Sequence, residues 1–330
     1  MPGSNPSDAQ AYKSLSAREC AKKLIAIRRP LVLMHVRPDG DTVGSGAALC
    51  IIFRALGKTP LYACADPIPA RLAFLLEGFR PAENFEGLEP VAVDVSTRSQ
   101  LSDLNGKIPD PVLMIDHHEV GEPFAPHYIL RGISSAGEVL LHVIDELIAL
   151  RRLKMTAKLA YPLYAAISSD TGCFRYSTAT AETYRRAAKL TETGIDTADI
   201  NHRLFESKTE KDLLAENFIA ARIRTAAGGK IAYATVTKAE REGLGVLQEH
   251  FETAVDVVRS LDGVVIAFVV RETDRGEIKV SMRSTGPDVA AVAMRFGGGG
   301  HIRAAGCTLD VPDVESGAKL LLEALAEVRL

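Results

Sequence analysis

The sequence lacks the cysteine pattern from which disulfide scaffolds and thiolate zinc sites are built. Its five cysteines are odd in number and scattered, and no two of them form a Cys-x-x-Cys pair. This pattern argues against both kinds of site, so the cysteines are expected to be small buried hydrophobic residues. Such usage is typical of a reducing compartment, and we expect a cytoplasmic protein.

A membrane-spanning segment is also lacking. No apolar run exceeds seven residues, whereas a span needs roughly 20 apolar residues, and the run at residues 264–270 predicts a buried strand. The first ten residues are polar, include two prolines and do not form the charged-then-apolar pattern of a secretory signal. We expect a loose N-terminal tail and no association with a membrane.

An excess of positive charge is absent as well. The chain has 39 Lys and Arg against 42 Asp and Glu, which gives a net charge of −3. Residues 201–330 contribute 17 of the basic and 19 of the acidic residues, so the second half is not a basic lobe. Because tight binding to long nucleic acid needs several phosphate-neutralising cations, we expect no binding to long duplexes.

The length and the strand–helix order predict the fold class. A chain of 330 residues with 47% hydrophobic residues is expected to form two lobes with full cores. In the first half, short β-branched runs alternate with helical patterns, which is typical of a parallel sheet with helices on both faces. The predicted strands are residues 31–36, 61–65, 91–95 and 112–115, and the predicted helices are residues 44–56, 136–150 and 156–169.

The second half predicts a smaller α/β domain with a mixed sheet. Strands are predicted at 230–236, 264–270 and 278–282, and helices at 288–296 and 315–328, with four glycines directly after the first of these helices. Residues 180–225 look helical throughout. We therefore expect a flexible tail at 1–14, a catalytic domain at 15–190, a helical linker at 191–212 and a substrate-binding domain at 213–330.

Acidic residues and histidines follow the predicted strands of the first half. His35, Asp39 and Asp41 come after the first strand, Asp94 closes the third, and Asp116-His117-His118 closes the fourth. A further carboxylate, Asp170, ends a predicted helix. Because ligands of parallel sheets bind at the carboxyl ends of the strands, we expect these side chains to meet at one edge.

Such a cluster requires positive charge, because carboxylates at short range repel one another. Two divalent cations would balance four aspartates. Carboxylate and imidazole ligands without thiolates suit Mn²⁺, with Mg²⁺ as the alternative. A pair of such ions about 4 Å apart can stabilise an in-line displacement at phosphorus. Each motif alone has an ordinary explanation, since Pro-Asp-Gly-Asp is a common turn and a strand-terminal aspartate often caps a helix. Their combination in this order favours a metal site.

These motifs resemble those of the DHH phosphoesterases. The first motif is His35-x-x-Pro38-Asp39-Gly40-Asp41-x-x-Gly44-Ser45, the second is Val93-Asp94, the third is Asp116-His117-His118, and the fourth is Asp170-Thr171-Gly172-x-Phe174-Arg175-Tyr176. Gly297-Gly298-Gly299-Gly300-His301-x-x-Ala304-Ala305-Gly306 is similar to the motif of the family's associated C-terminal domain. The resemblance covers roughly residues 15–330 and is strongest to the bacterial nanoRNases. Thr42, where many members carry alanine, is a small departure that puts no ligand in doubt.

The resemblance implies roles for individual residues. It implies that His35, Asp39 and Asp94 surround one metal, and that Asp41, Asp94, His117 and Asp170 surround the other. Asp116 would orient an imidazole, and His118 would face the scissile phosphate as a charge stabiliser or proton donor. The implied substrate-binding residues of the second domain are Arg283, Gly298, Gly299, Gly300 and His301.

The resulting hypothesis is a metal-dependent hydrolase that converts short oligoribonucleotides to nucleoside monophosphates and 3′-phosphoadenosine 5′-phosphate (pAp) to AMP. Two alternatives stay open. One is a phosphodiesterase for linear or cyclic dinucleotides. The other, from a different class, is a nucleic-acid-binding module with a degenerate site, which the intact ligand set argues against. The sequence leaves open the oligomeric state, a homodimer included, and the preferred substrate length.

Overall fold

The computed structural model describes residues 12–251 and 253–329, with only the backbone at His301. The chain forms two compact units, the first ending at Ser207 and the second beginning at Lys208. The predicted N-terminal tail lies almost wholly outside the described residues. No helix in the described ranges has the length and apolar character to cross a membrane.

The first unit contains a five-stranded, all-parallel sheet, and the predicted α/β class is confirmed. Its strands are β1 Pro30–Met34, β2 Leu61–Cys64, β3 Glu89–Val93, β4 Leu113–Asp116 and β5 His127–Ile129. They lie in the order β2-β1-β3-β4-β5. The four predicted strands are present with ends shifted by one or two residues. The edge strand β5 was not predicted, because three residues are too few to show a pattern in the sequence.

The helices of this unit begin at side-chain caps. They are α1 Ala17–Ala26, α2 Gly40–Ala55, α3 Ala136–Ala149, α4 Ala157–Asp170, α5 Ala181–Thr191 and α6 Thr197–Asn201, with 3₁₀ segments Ala70–Leu76 and Arg98–Leu104 and a π turn His202–Glu206. The prediction that α2 begins at residue 44 was wrong. The Asp39 side chain accepts hydrogen bonds from the backbone N–H groups of Asp41 and Thr42, and this cap starts the helix at Gly40.

Alternating side chains of the strands divide between two cores. Val32 and Met34 of β1 point toward helices α1 to α4, while Leu31 and Leu33 point toward the 3₁₀ segment Arg98–Leu104 and the chain beside it. This alternation follows from the period of two along a strand. Both faces are therefore covered, and the polar residues that follow the strands are left at the carboxyl edge.

Helices α2 and α4 approach each other closely at Gly44. A Cβ atom at this position would lie 2.6 Å from the carbonyl oxygen of Pro162 and 3.0 Å from the backbone nitrogen of Ala166. Only glycine allows this separation without displacing one of the helices. The close packing brings the first turn of α2, with Asp41, near the last turn of α4, which ends at Asp170.

The second unit contains a six-stranded mixed sheet, as predicted. Its strands are β6 Arg224–Ala226, β7 Ile231–Val236, β8 Ile266–Glu272, β9 Ile278–Ser284, β10 Gly299–His301 and β11 Ala304–Leu309, in the order β10-β11-β9-β8-β7-β6. Among the strand pairs that the described residues form here, β7–β8 is parallel and the others are antiparallel. The helices are α7 Glu210–Ala220, α8 Lys238–Gly243, α9 Ala254–Arg259, α10 Val289–Met294 and α11 Val314–Leu325, with 3₁₀ segments Ala227–Gly229 and Gln248–Phe251.

Two details of this unit differ from the sequence predictions. Residues 224–226 are a strand rather than the end of a helical stretch, because they pair antiparallel with β7. The glycine-rich segment is partly a strand, since β10 pairs with β11. One face of the sheet packs against α10 and α11, and β7 and β8 pack on the other face against α7 and α9.

Candidate active site

Strands β1 and β3 are neighbours in the first sheet. The chain continues from β1 to β2 on one side of this pair and from β3 to β4 on the other side. The ladder between them ends at the Leu33–Ala92 pair. His35 and Asp94 each follow this pair by two residues. A crevice at such a reversal of strand order is the usual ligand position in an open α/β sheet.

Asp94 lies at the centre of the residues gathered there. Its backbone has φ of 59°, a left-handed conformation that is uncommon for residues other than glycine, and its side chain is buried. Oδ2 lies 3.3 Å from Nε2 of His35, while Oδ1 lies 3.4 Å from Nε2 of His117 and 3.6 Å from Nδ1 of His118. Three imidazoles thus surround a single carboxylate.

Hydrogen bonds from Nδ1 to backbone carbonyl groups orient two of these imidazoles. Nδ1–H of His35 donates to the Val36 carbonyl at 2.8 Å, and Nδ1–H of His117 donates to the Ile133 carbonyl at 3.1 Å. Nε2 of each ring consequently faces carboxylates. Nδ1–H bonds of this kind are typical of histidines that ligate metals through Nε2.

The remaining carboxylates complete the surroundings of these two Nε2 atoms. Asp39 Oδ1 lies 3.7 Å from Nε2 of His35. Asp41 Oδ2 and Asp170 Oδ2 lie 3.6 Å and 3.4 Å from Nε2 of His117. The structure therefore brings together all six residues that the sequence indicated as metal ligands: His35, Asp39, Asp41, Asp94, His117 and Asp170.

Asp41 is held by backbone groups that are distant from it in the sequence. Its Oδ2 accepts the N–H of Ala136 at 2.6 Å, and its Oδ1 accepts the N–H of Gly137 at 3.0 Å and the hydroxyl of Ser45 at 2.9 Å. These amides begin helix α3, which Ser135 caps. The Ser-x-x-Glu pattern at Ser135 to Glu138 marks this helix start in the sequence, but nothing in the sequence pairs it with Asp41.

The electrostatics of the cluster show a shortage of positive charge. Burial, followed by the nearby charge of Asp94, raises the pKa of Asp41 to about 8. Burial and the charge of Asp41 raise the pKa of Asp170 well above its usual range. Burial would also raise the pKa of Asp94, but the imidazoles of His117 and His35 outweigh it and keep that pKa low. Positive charge beyond that of the imidazoles would therefore stabilise the ionised form of these carboxylates.

The donor set fits divalent cations. Three groups of three residues each place one ligand atom per residue within 4.8 Å of one another: His35, Asp39 and Asp94; Asp41, His117 and Asp170; Asp94, His117 and His118. In the described part of the chain, Oδ1 of Asp94 is buried without a hydrogen-bond partner. A buried carboxylate oxygen in this position is costly unless it binds a cation.

Asp116 and His118 form a separate pair beside this cluster. Nδ1–H of His118 donates to Oδ1 of the buried Asp116 at 2.7 Å. Burial lowers the pKa of His118, but the carboxylates of Asp116 and Asp94 outweigh it, so the net shift is upward. Asp116 therefore fixes the orientation of this imidazole and favours its protonated form.

Thr42 connects the two strands that carry the cluster. The backbone N–H of His35 donates to its hydroxyl oxygen at 3.4 Å, and the hydroxyl donates to the Val93 carbonyl at 3.3 Å. These contacts continue the β1–β3 connection beyond the last ladder pair. Thr42, where many members of the family carry alanine, therefore contacts the backbone of His35 and that of Val93, the residue before Asp94.

In the second unit, the glycines of the predicted substrate-binding segment are not equivalent. A Cβ atom at Gly300 would lie 2.5 Å from the Ala304 carbonyl oxygen, and one at Gly298 would overlap the backbone at Gly306. These two glycines are required by the packing on β11. A Cβ atom at Gly299 would meet nothing within 4 Å, so this backbone is open to an approaching group.

Arg283 lies on β9, and β11 separates it from this segment. Ala304 of β11 pairs with Arg283 on one side and with His301 of β10 on the other, so the three positions form one row across the sheet. The guanidinium of Arg283 donates to the Met282 carbonyl at 3.0 Å and lies 3.7 Å from Asp256. The prediction for the His301 side chain concerns atoms outside the described structure.

Comparison with known families and proteins gives a consistent picture. Residues 29–167 match the DHH family, N-terminal domain, and residues 228–328 match the DHHA1 domain. The chain is 32% identical over 317 residues to the bifunctional oligoribonuclease and PAP phosphatase NrnA of Thermus thermophilus, covering 94% of this chain and 93% of the relative. It is 27% identical to the Bacillus subtilis protein of the same name, over 83% of this chain and 87% of that protein.

A solved structure has a similar fold. The exopolyphosphatase-related protein from Bacteroides fragilis superposes with a TM-score of 0.82 at 22% identity, covering 94% of this chain and 96% of that one. At this identity the likeness concerns the fold alone.

Proposed function

The chain belongs to the DHH family and is a hydrolase of phosphoester bonds, and we propose that it cleaves short oligoribonucleotides to nucleoside monophosphates and also converts pAp to AMP. Support for these substrates comes from the Thermus thermophilus relative, which is named for an oligoribonuclease and a PAP phosphatase activity. The observation that carries the proposal is the position of Asp94, a buried carboxylate among three imidazoles at the strand-order reversal.

We propose that two divalent cations bind at this carboxylate, with Asp94 between them. His35 and Asp39 would hold one cation, and Asp41, His117 and Asp170 the other, in accordance with the two corresponding groups of ligand atoms. When bound, the cations would lower the pKa of the attacking water and neutralise charge on the phosphoryl oxygens. Oxygen and nitrogen ligands without sulfur favour Mn²⁺, with Mg²⁺ as the alternative.

The protein's own residues supply the remaining chemistry. The Nδ1–H bonds to Val36 and Ile133 fix the rings of His35 and His117, so that their Nε2 atoms need no reorientation during the reaction. His118, held by Asp116, is placed as the general acid that donates a proton to the leaving oxygen. The amides of Ala136 and Gly137 fix the Asp41 carboxylate.

We propose that the second unit binds the substrate. The open backbone at Gly299, with Gly298 and Gly300 on either side, can approach a phosphate closely because no side chain intervenes. Arg283 and His301 occupy one row of the same sheet and would add cationic contacts. The acidic balance of this half of the chain favours substrates of a few nucleotides over long strands.

The proposal is tested by turnover of a substrate panel in Mn²⁺: pAp, a cyclic dinucleotide, and RNA from two to twenty nucleotides. The expected result is hydrolysis of pAp and a rate that falls beyond about five nucleotides, because one terminal phosphate is held at a fixed site. Preferential cleavage of the cyclic dinucleotide would support the alternative phosphodiesterase. Tight RNA binding by metal-free protein with no turnover of any substrate would instead indicate a binding module.

A further inference from the structure

The loop between β1 and α2 contains a strained arginine. Arg37 has φ of 53°, the left-handed conformation, and it precedes Pro38, which restricts the backbone of the residue before it. It lies two residues after His35 and two before Asp39. Strain of this kind persists only where the surrounding structure enforces it, and it is concentrated at functional sites.

Contacts from the end of β2 enforce this conformation. The backbone N–H of Arg37 donates to Oδ2 of Asp66 at 2.7 Å, and the thiol of Cys64 donates to the His35 carbonyl at 3.1 Å. Pro38 is buried, whereas the Arg37 side chain is exposed. These contacts fix the backbone of the loop and leave the Arg37 side chain exposed to solvent.

The guanidinium of Arg37 is unpaired as far as the described residues show. Over residues 12–251 and 253–329 it has no hydrogen-bond or ion-pair partner, although it lies in the loop that carries two members of a carboxylate-rich cluster. By contrast, Arg98 of the same unit pairs with Asp110 at 2.6 Å. The Asp66 carboxylate accepts its hydrogen bond from the backbone N–H of Arg37 rather than from the guanidinium.

We infer that Arg37 is a substrate-binding residue whose guanidinium contacts a non-bridging oxygen of the phosphoryl group that is hydrolysed. This inference rests on the proposed function. A phosphoryl group at the carboxylate–imidazole cluster carries negative charge, and Arg37 is the single arginine or lysine in the sequence between β1 and α2. The planar guanidinium donates two parallel N–H bonds to phosphate oxygens, and these charge-assisted bonds are stronger than neutral ones.

The chain offers a matched control in Arg151. It is also an exposed arginine with a left-handed backbone, φ of 57°, and its guanidinium has no partner among the described residues. It follows the carboxyl end of α3, whose amino end contacts Asp41. The 14 residues of α3 span about 21 Å, so Arg151 is remote from the cluster.

The test compares kcat/KM of Arg37→Gln, Arg37→Lys, Arg37→Gly and Arg151→Gln on pAp and on the dinucleotide pApA. We expect Arg37→Gln to lose about 10- to 100-fold on both substrates, in line with a charged hydrogen bond. Arg37→Lys should lose less. Arg37→Gly should lose as much as Arg37→Gln while melting at an equal or higher temperature, because glycine adopts the left-handed conformation without strain. Metal content, measured by elemental analysis, should match wild type in all four variants.

Activity of Arg37→Gln within twofold of Arg151→Gln would overturn the inference while leaving the proposed function intact. Loss of bound metal in Arg37→Gln and Arg37→Gly would also overturn it, because the arginine would then act on the cluster rather than on the substrate. If wild type hydrolyses neither substrate, the proposed function falls and the inference with it.

Discussion

Asp116 accepts a hydrogen bond from His118 at 2.7 Å, and this bond joins the last residue of a buried strand to the imidazole beside the carboxylate cluster. The strand fixes the carboxylate, and the carboxylate fixes the ring. An imidazole held in this way donates a proton from one defined position, which is what a general acid requires.

The first prediction concerns this pair. His118→Asn should lower kcat by about 100-fold, because general acid catalysis contributes 10²–10⁴-fold. Asp116→Asn retains a hydrogen-bond acceptor but loses the charge, so its kcat should fall less and its KM should stay near wild type. Steady-state kinetics on pAp measure both. Complete loss of bound Mn²⁺ in His118→Asn would instead identify His118 as a metal ligand, in keeping with its proximity to Asp94 and His117.

The second prediction concerns pH. Burial and Asp94 raise the pKa of Asp41 to about 8, and although burial opposes it, the carboxylates Asp39 and Asp94 raise the pKa of His35. In the metal-free protein the folded state therefore holds more protons than the unfolded state between about pH 4 and 8, so stability falls as pH rises through this window. Cations displace these protons, so apparent Mn²⁺ affinity should rise with pH.

Thermal melts with and without Mn²⁺ between pH 6 and 8.5 measure this linkage. The metal-induced rise in melting temperature should grow with pH. The Asp41→Asn variant, which cannot release that proton, is the control and should show a smaller dependence. A stabilisation by Mn²⁺ that is independent of pH would contradict the electrostatic account of the cluster.

The third prediction concerns the packing of α2 on α4. Gly44→Ala would place a Cβ atom 2.6 Å from the Pro162 carbonyl oxygen, so the helices must move apart. We expect a destabilisation of about 1–3 kcal/mol from overpacking, together with weaker Mn²⁺ binding because Asp41 and Asp170 separate. Gly243→Ala, at the end of α8 with nothing within 4 Å of its Cβ position, is the control. Unchanged metal affinity in Gly44→Ala would show that this packing does not set the ligand geometry.

The fourth prediction separates folding from substrate binding in the second unit. Gly299→Ala should keep the wild-type melting temperature, because its Cβ atom would meet nothing within 4 Å. Its KM for pAp should nevertheless rise, by about 10-fold for one weakened charged hydrogen bond. Gly298→Ala should lose stability, since its Cβ atom would overlap the chain at Gly306. If KM is the same in Gly299→Ala and wild type, this backbone does not bind the phosphate.

The sequence predicts the gathering of the ligands because strand–helix alternation implies a parallel sheet, and parallel strands end at one edge. This rule alone is enough to predict that His35, Asp94 and His117 lie at the same edge. The support of Asp41 by Ala136 and Gly137 could not be predicted, because the partners are 95 and 96 positions apart and the donors are backbone amides. Similarly, nothing in the sequence of the glycine-rich segment shows that Gly298 and Gly300 serve packing on β11 while Gly299 stays open.

The left-handed backbone at Asp94 could not be predicted from the sequence either. A strand-terminal aspartate is usually extended or caps a helix, whereas Asp94 has φ of 59° while its N–H donates to the Ile115 carbonyl at 2.9 Å. This feature makes Asn a well-matched replacement, because asparagine is enriched in the left-handed region and has the same shape. Asp94→Asn therefore removes the charge with little effect on the backbone.

The bound Mn²⁺ and the turnover of Asp94→Asn test the central claim, that one buried carboxylate organises a two-cation site. The account predicts loss of at least one equivalent of Mn²⁺ by elemental analysis, a fall in pAp hydrolysis of more than about 1,000-fold through loss of metal-ion catalysis, and a cooperative thermal melt that shows the variant is folded. Near wild-type turnover with unchanged Mn²⁺ content would contradict it.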